Sequence, residues 1–167
     1  MIVRPEHPSD RDAVRRVHAT AFTTPEEADL VDALRADAEP LVSLVAEEAG
    51  DVVGHVMFSP VTLPDHPELR LMGLAPLAVV PALQRTGVGA ALTRAGLERC
   101  REIGAGAVVV LGHPAYYPRF GFVPADAFGV GCQFEAPAEA WMLLELEPGY
   151  VRGAGGTARW HTAFDAF

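Results

Sequence analysis

A helix start with almost no side-chain bulk lies near the middle of the chain. An apolar run ends at Pro81, and a polar loop leads into the small residues 87–91, which include Gly87 and Gly89. The first N–H groups of a helix have no partner within it, and the helix dipole gives that end partial positive charge. Because glycine leaves these N–H groups accessible, the pattern is compatible with a phosphate-binding helix start. The alternative is that both glycines only permit close packing of the helix on a sheet, since neither G-x-G-x-x-G nor G-x-x-x-x-G-K-[ST] is present.

Few other side chains stand in a pattern typical of catalysis. Ser9, Ser43 and Ser59 are the only serines, and none lies in a G-x-S-x-G turn, which argues against a serine hydrolase. The six histidines show no metal-ligand spacing, so we expect no metal site. Cys100 falls on the apolar side of its predicted helix, and we interpret it as a buried structural thiol rather than a nucleophile.

The elements that must hold the glycine-rich helix start follow from hydrophobic periodicity. A nearly all-apolar run over 71–80 predicts a central strand buried on both faces. The helix runs over 88–103 and ends at Gly104, and the apolar run 107–111 predicts another buried strand. This strand–helix–strand order predicts that the two strands are parallel neighbours, with the helix packed across one face of their sheet.

The remaining segments complete an α/β domain. We predict a short strand at 2–3, a helix starting at Ser9 or Asp10, a second helix starting at Thr24-Pro25, antiparallel strands over 41–47 and 52–61, a closing antiparallel pair over 133–134 and 141–147, and a last strand after the glycines of 152–156. Trp141 and Trp160 fit the core of such closing strands better than the wall of a site. Together these elements predict a single domain over 1–167 with one mixed sheet.

Composition restricts the class of protein. A chain of 167 residues with 50% apolar and 21% charged residues suits one compact domain. A net charge of −9 argues against non-specific binding to nucleic acid or to an anionic membrane. No run approaches a membrane span, and the first residues lack an apolar signal core. The two cysteines form no C-x-x-C pattern and indicate reduced thiols, so we expect a cytoplasmic protein.

Two motifs in this order resemble the GNAT N-acetyltransferase superfamily. Residues 84–89, QRTGVG, match the pattern [QR]-x-x-G-x-[GA], placed after an apolar strand and at the head of a helix. After the next strand, YYPRFGF at 116–122 places Tyr117 four residues before Gly121-Phe122. The phrases FSPV at 58–61 and PLAV at 76–79 resemble a small branch of that superfamily.

The resemblance covers nearly the whole chain and implies the single-domain acyl-CoA N-acyltransferase fold, a mixed, mostly antiparallel central sheet flanked by helices. It also implies acetyl-CoA as cosubstrate, with the pyrophosphate on the backbone of the glycine-rich loop and helix start and the pantetheine arm beside the central strand. The cofactor-binding residues expected are Leu77, Ala78, Val79, Gln84, Arg85, Thr86, Gly87, Val88, Gly89 and Ala90.

The same resemblance makes Tyr117 the candidate acid for the leaving thiolate, because a tyrosine stays protonated at neutral pH. The alternative is a core aromatic residue, and we expect the adjacent Tyr116 to point elsewhere and serve packing. The amide of Val79 is a candidate donor to the thioester carbonyl. The central strands contain no acid, which leaves His55, His113 or a backbone-held water as the candidate base.

Two function classes follow. The first is an N-acetyltransferase in which a primary amine of a small molecule or peptide attacks acetyl-CoA directly. The second is a catalytically degenerate acyl-CoA-binding module with a sensing or interaction role, which the missing acid keeps open. The expected partners are acetyl-CoA, an amine acceptor and a second copy of the chain in a homodimer, with no nucleic acid and no membrane. Acidic residues clustered over 26–48 favour a cationic acceptor.

Overall fold

The computed structural model describes residues 1–166, and its regular elements are bounded as follows. The helices are α1 (Arg11–Ala21), α2 (Glu26–Asp37) and α3 (Val88–Glu102). The strands are β1 (Ile2–Pro5), β2 (Val42–Glu48), β3 (Asp51–Thr62), β4 (Leu71–Val79), β5 (Ala107–Leu111), β6 (Val123–Pro124), β7 (Gly131–Cys132), β8 (Trp141–Glu145) and β9 (Thr157–Trp160). Short 3-10 helices cover Pro8–Asp10, Pro81–Leu83, Tyr117–Phe120, Ala125–Phe128, Ala138–Ala140 and Thr162–Ala166.

One mixed sheet runs through the molecule in the order β1-β2-β3-β4-β5-β8-β6. Every neighbouring pair along this path is antiparallel except β4 and β5, which are parallel. The short strand β9 pairs with the end of β3, and β7 pairs with β9 in parallel. The predicted mixed, mostly antiparallel sheet flanked by helices is therefore confirmed.

Helices cover both faces of this sheet. Successive residues of a strand point to opposite faces, so Met57 and Phe58 of β3 belong to different halves of the core. Met57 is buried in the half that contains Val31 and Leu34 of α2. Phe58 is buried in the half that contains Leu92 of α3. Each half is a continuous apolar cluster, which fixes α3 against one face and α2 against the other.

The close approach of α3 to the sheet occurs at Gly96. A Cβ at this position would overlap the ring of Phe58, so only glycine allows the observed distance between helix and strand. Cys100 lies one turn further along α3 and is fully buried. Burial raises the pKa of its thiol to about 12. Its interpretation as a structural thiol is therefore confirmed, because the reactive thiolate is not populated at neutral pH.

The predicted parallel neighbours β4 and β5 pair over three positions, Leu71 with Ala107, Met72 with Val108 and Gly73 with Val109. Beyond Gly73, β4 continues to Val79 paired only with β3 on its other side. The two strands thus diverge, and a gap opens between their carboxyl ends. The apolar pattern of the sequence predicted that β4 and β5 pair, but it did not predict that they diverge.

The predicted closing pair is wrong. Residues 133–134 form no strand, and β8 lies between β5 and β6, in antiparallel pairing with both. The side chain of Gln133, rather than its backbone, accepts a hydrogen bond from the N–H of Trp160. One edge of the apolar strand β5 faces β4, and its other edge pairs with β8 over five positions, so β8 is not available for a hairpin with residues 133–134 on that side. Trp141 and Trp160 are buried, as expected.

No helix in the described residues 1–166 has the length and apolarity required to cross a membrane.

Candidate active site

A cleft of about 770 Å³ occupies the gap between the diverging ends of β4 and β5. One wall, from β4 and the start of α3, contributes Leu74, Ala75, Pro76, Leu77, Val79, Gln84, Arg85, Gly87, Gly89 and Ala90. The other wall contributes Leu111, His113, Tyr116, Tyr117 and Arg119, and Phe22, which follows α1, also lines the cleft. Most of the residues expected to bind the cofactor therefore lie together, with Tyr117 and His113 across from them. Ala78, Thr86 and Val88 do not line the cleft.

Gly87 serves backbone conformation rather than helix packing. It caps α3 with φ +99°, in the left-handed region that favours glycine, and a Cβ there would meet no atom within 4 Å. Its carbonyl accepts the first helical hydrogen bond, from Ala91 N–H at 3.0 Å. The N–H groups of residues 88–90 are thus the first of the helix, and space lies open in front of Gly87. Close packing, the alternative for this glycine, is instead the role of Gly96.

The loop before α3 is tied to the end of β4. The side-chain amide of Gln84 donates to the carbonyl of Val79 at 3.0 Å, and the Thr86 hydroxyl donates to Leu83 at 2.6 Å. Arg85 has φ +64°, which turns the chain sharply before the helix. These contacts hold the loop in one conformation and place the helix start beside the unpaired edge of β4.

The edge of β4 offers backbone groups to the cleft. Val80 N–H donates to Val53 of β3 at 2.9 Å. Because successive amides of a strand point to opposite edges, Val79 N–H points away from β3 and toward the gap. Within residues 1–166, no strand pairs with this edge of β4 beyond Gly73. A ligand with amide groups can therefore bind here as an added strand.

Tyr117 lies in the opposite wall, in the 3-10 helix that follows β5. Its side chain is 8% exposed, and its ring packs nearly perpendicular to Tyr116, with centroids 5.0 Å apart. Burial, then the neighbouring Tyr116, raises the pKa of its hydroxyl above the ordinary value. The group stays protonated at neutral pH, as a proton donor must. A Cβ on Gly112 would overlap the Tyr117 ring, so Gly112 permits this placement, and sequence reasoning missed it.

Tyr116 also belongs to the cleft, which corrects the expectation that it points elsewhere. Its hydroxyl lies 3.0 Å from the position that a Cβ on Gly89 would take, directly beside the start of α3. Arg119 stacks on its ring at 4.3 Å and donates to its carbonyl at 2.9 Å. Tyr116 and Arg119 thus form one unit that faces the helix start. The only sequence signal for this role was its position in the aromatic motif.

The charged side chains of the cleft are all cationic. Arg85 and Arg119 line it, and within residues 1–166 no lining residue is Asp or Glu. His113 lies exposed in the same wall as Tyr117. This positive lining contrasts with the net charge of −9 of the whole chain. The cleft therefore attracts anionic groups despite the acidic surface around it.

His55, a candidate base, lies outside the cleft. It is fully buried on the face of β3 that packs against α1. Its Nδ1 lies 2.8 Å from Nε2 of His18, and its Nε2 lies 2.8 Å from the hydroxyl of Ser43. Burial, followed by the charges of His18 and Arg35, lowers the pKa of His55 well below its ordinary value. His55 is a member of a buried polar chain and does not line the cleft.

This buried chain supports one side of the cleft. Ser43 donates to Glu6 at 3.1 Å, and Arg35 pairs with the other oxygen of Glu6 at 2.7 Å. At its inner end, the ring of His18 stacks on Phe22, with centroids 6.0 Å apart. Because Phe22 caps the C-terminal end of α1 and lines the cleft, the hydrogen-bonded chain and this ring stack together support that side of the cleft.

A protein-family model described as an acetyltransferase (GNAT) domain matches residues 3–125. The chain belongs to this family. It is 43% identical over 145 residues to the N-acetyltransferase YjhQ of Escherichia coli K12, covering 83% of this chain and 80% of that protein. As an acetyltransferase of the GNAT family, it has the predicted class of activity.

Solved GNAT structures agree over nearly the full length. The N-acetyltransferase YhbS of Escherichia coli, determined with CoA, is 34% identical and superposes with a TM-score of 0.93, covering 99% of this chain and 92% of that one. A GNAT acetyltransferase of Brucella melitensis, determined with acetyl-CoA, is 38% identical with a TM-score of 0.80, covering 98% and 97%. The GNAT fold of this chain is therefore confirmed in detail.

Proposed function

We propose that this GNAT enzyme transfers the acetyl group of acetyl-CoA to a primary amine by direct attack of the amine on the thioester. The observation that carries the proposal is the unpaired edge of β4 that leads directly to the glycine-capped start of α3. The CoA and acetyl-CoA found in the two similar GNAT structures support this choice of cosubstrate. An extended ligand with a phosphate at one end and amides along its length matches this wall.

The pyrophosphate binds the N–H groups at the start of α3, where Gly87 keeps the approach open. Arg85 and Arg119 add positive charge on either side of it. The pantetheine arm lies along Leu77–Val79 and receives the amide of Val79. This order places the thioester deeper in the cleft, beyond Leu77 and near Tyr117.

The chemical step uses few groups. His113 accepts a proton from the incoming ammonium, and the neutral nitrogen forms a bond to the carbonyl carbon of the thioester. The backbone N–H of Leu77, on the same edge of β4 as that of Val79 and nearer the thioester, donates to the carbonyl oxygen as it gains charge, while Val79, the donor suggested by the sequence, binds the pantetheine arm. The carbon–sulfur bond then breaks, and the thiolate takes the proton of the Tyr117 hydroxyl. The new amide loses its extra proton to solvent, His113 releases the proton it accepted to solvent, and solvent reprotonates Tyr117.

A second candidate is a CoA-binding module without turnover. The observation that favours it is the absence of Asp and Glu from the cleft lining within residues 1–166. Release of free thiol from acetyl-CoA, followed with a panel of amines, separates the two. Amine-dependent thiol release together with an acetylated product supports the transferase. Tight acetyl-CoA binding without thiol release supports the module and contradicts the transferase.

We also propose a cytoplasmic location and a homodimer. The free thiols of Cys100 and Cys132 support a reducing compartment. The homodimer stays a prediction from the sequence. Sedimentation velocity of the purified protein tests it, with a species of twice the chain mass of 17.8 kDa as the expected result and a monomer as the contrary one.

A further inference from the structure

We infer that the acceptor is a weakly basic primary amine carried by an apolar group, an α-amine rather than an alkylammonium ion. The inference rests on the proposed acetyl transfer and concerns the end of the cleft beyond Leu77. With the phosphates at the start of α3, the thioester faces the opposite end, where the acceptor must enter. That end, the acceptor pocket, is lined by Phe22, Leu74, Ala75, Pro76 and Leu111.

The acceptor pocket provides apolar contact and no anionic partner. All five of its lining residues are apolar, and the nearby polar groups of the cleft are the Tyr117 hydroxyl and the His113 imidazole. Burying an ammonium ion without a counter-charge is unfavourable, whereas burying an apolar substituent is favourable. The pocket therefore selects an acceptor whose ammonium has given up its proton, to His113 in the proposed mechanism, and which fills the pocket with a hydrocarbon group.

The acidic segment over 26–48, which favoured a cationic acceptor at the level of sequence, does not reach this pocket. Asp29 and Asp32 of α2 pair with Arg15 at 2.7 and 2.8 Å, and Asp32 also pairs with Arg35 at 2.7 Å. None of the acids of this segment lines the cleft. Asp29 and Asp32 are engaged in contacts between and along helices, and because no acid of the segment lines the cleft, the segment places no carboxylate against a cation at the reaction site.

The basicity of the amine then decides how much of it can react. An α-amine has a pKa of about 7.7–8.0 and an alkylamine such as lysine about 10.4. At pH 7.5 roughly a third of the former is neutral and about 0.1% of the latter, a difference of about 200- to 300-fold. The base of the proposed mechanism is His113, and an α-ammonium gives up its proton to a base far more readily than an alkylammonium does. Within residues 1–166 the cleft lining offers no carboxylate to hold a cation, so the site matches an α-amine.

Two sources supply such a group, a free small molecule and the N-terminus of a peptide. Leucine amide represents the first and a tetrapeptide with N-terminal leucine the second. The matched strong base is 3-methylbutylamine, which has the same hydrocarbon group without the carboxamide. Nα-acetyl-lysine amide and spermidine are the cationic comparisons. A kcat/KM for the tetrapeptide at least about tenfold above that for leucine amide identifies a peptide acceptor, and equal values identify a small amine.

The experiment measures acetylated product from each amine with saturating acetyl-CoA over pH 7.0–9.5. At pH 7.5 we expect kcat/KM for leucine amide to exceed that for 3-methylbutylamine at least about tenfold, because the greater nucleophilicity of the stronger base offsets only part of its protonation. The value for 3-methylbutylamine should rise about tenfold per pH unit, whereas that for leucine amide levels off above its pKa. Faster acetylation of spermidine or of the lysine side chain at pH 7.5 overturns the inference and leaves the transferase intact. Acetyl-CoA binding without acetylation of any amine refutes the proposed function itself.

A substitution that introduces a carboxylate into the acceptor pocket tests its assignment independently. Leu111 ends β5 at the rim of the acceptor pocket and is 38% exposed, so a polar side chain fits there. In L111E, the carboxylate supplies the missing counter-charge, and the preference for leucine amide over 3-methylbutylamine should fall about 3- to 10-fold relative to L111Q. Equal preferences in the two variants contradict the assignment of this pocket to the acceptor.

Discussion

The buried pair His18 and His55 makes the stability of the protein depend on pH in a calculable way. Both are fully buried, and burial, then the charge of Arg35, lowers the pKa of His18 to about 4. In the unfolded chain a histidine has a pKa of about 6.5. The unfolded state therefore binds more protons than the folded state between pH 6.5 and pH 4, so stability falls as pH is lowered through this window.

The magnitude follows from these two values of pKa. For His18 alone, linkage gives a loss of about 2 kcal/mol between pH 7.5 and pH 5.0, and about 3 kcal/mol once pH is below 4. His55 adds to the loss with the same sign, because its pKa is also lowered. Asp10 contributes in a separate window, since pairing with Arg4 lowers its pKa from 3.8 to about 2 and that stability is lost only below pH 4.

Urea denaturation followed by tryptophan fluorescence at pH 7.5, 6.0 and 5.0 measures this loss. H18Q removes one titrating group and keeps an amide that can donate to His55, so its unfolding free energy should change less with pH than that of the natural chain. H113Q, at an exposed histidine, should retain the full pH dependence. A free energy of unfolding that stays constant from pH 7.5 to 5.0 would refute the assignment of neutral buried imidazoles.

Three further substitutions test the fold and the cofactor wall. G87E should lower CoA affinity in calorimetric titration at least about tenfold through clash and like-charge repulsion. The control G50E changes a glycine with a similar positive φ and open surroundings on the β2–β3 turn, and it should fold and bind CoA normally. Equal CoA affinities of the two variants would exclude phosphate binding at the start of α3. Y116F removes a hydroxyl beside the helix start and should weaken CoA binding about tenfold without loss of thermal stability, and an unchanged dissociation constant would return Tyr116 to a packing role. G96A places a methyl group into the ring of Phe58 and should lower the free energy of unfolding by about 1–3 kcal/mol. Urea denaturation measures this loss as a lower midpoint, and an unchanged midpoint would contradict the prediction.

The cofactor half of the site could be predicted from the sequence because its signals are local. The apolar run that became β4, the glycine-capped α3 and the apolar run that became β5 lie within 41 consecutive residues, 71–111. Each has a pattern that depends on near neighbours, and the handedness of the crossover leaves one arrangement. The motif then placed Tyr117 in the opposite wall.

The remaining features depend on contacts between distant segments. The pairing of β8 with β5 joins residues 34 positions apart, such as Val109 and Leu143. No local sequence pattern distinguishes this pairing from a hairpin between β8 and residues 133–134. Alternation along β3 predicts that the side chains of His55 and Met57 lie on the same face of the sheet. The sequence does not show on which face the cleft lies, so it could not exclude His55 from the cleft. The hydrogen bonds from His55 through Ser43 to Glu6 likewise join three separate segments.

Adjacent tyrosines allow the most direct test of acetyl transfer with Tyr117 as proton donor. In Y117F the ring keeps its packing, and only the hydroxyl is lost. We expect kcat for an established amine to fall about 10²- to 10⁴-fold, while acetyl-CoA affinity, held mainly by backbone groups, changes little. Y116F is the matched control, with weaker acetyl-CoA binding and a nearly unchanged kcat at saturation. Full activity of Y117F on that amine would contradict the central claim and leave Tyr117 as a core aromatic residue.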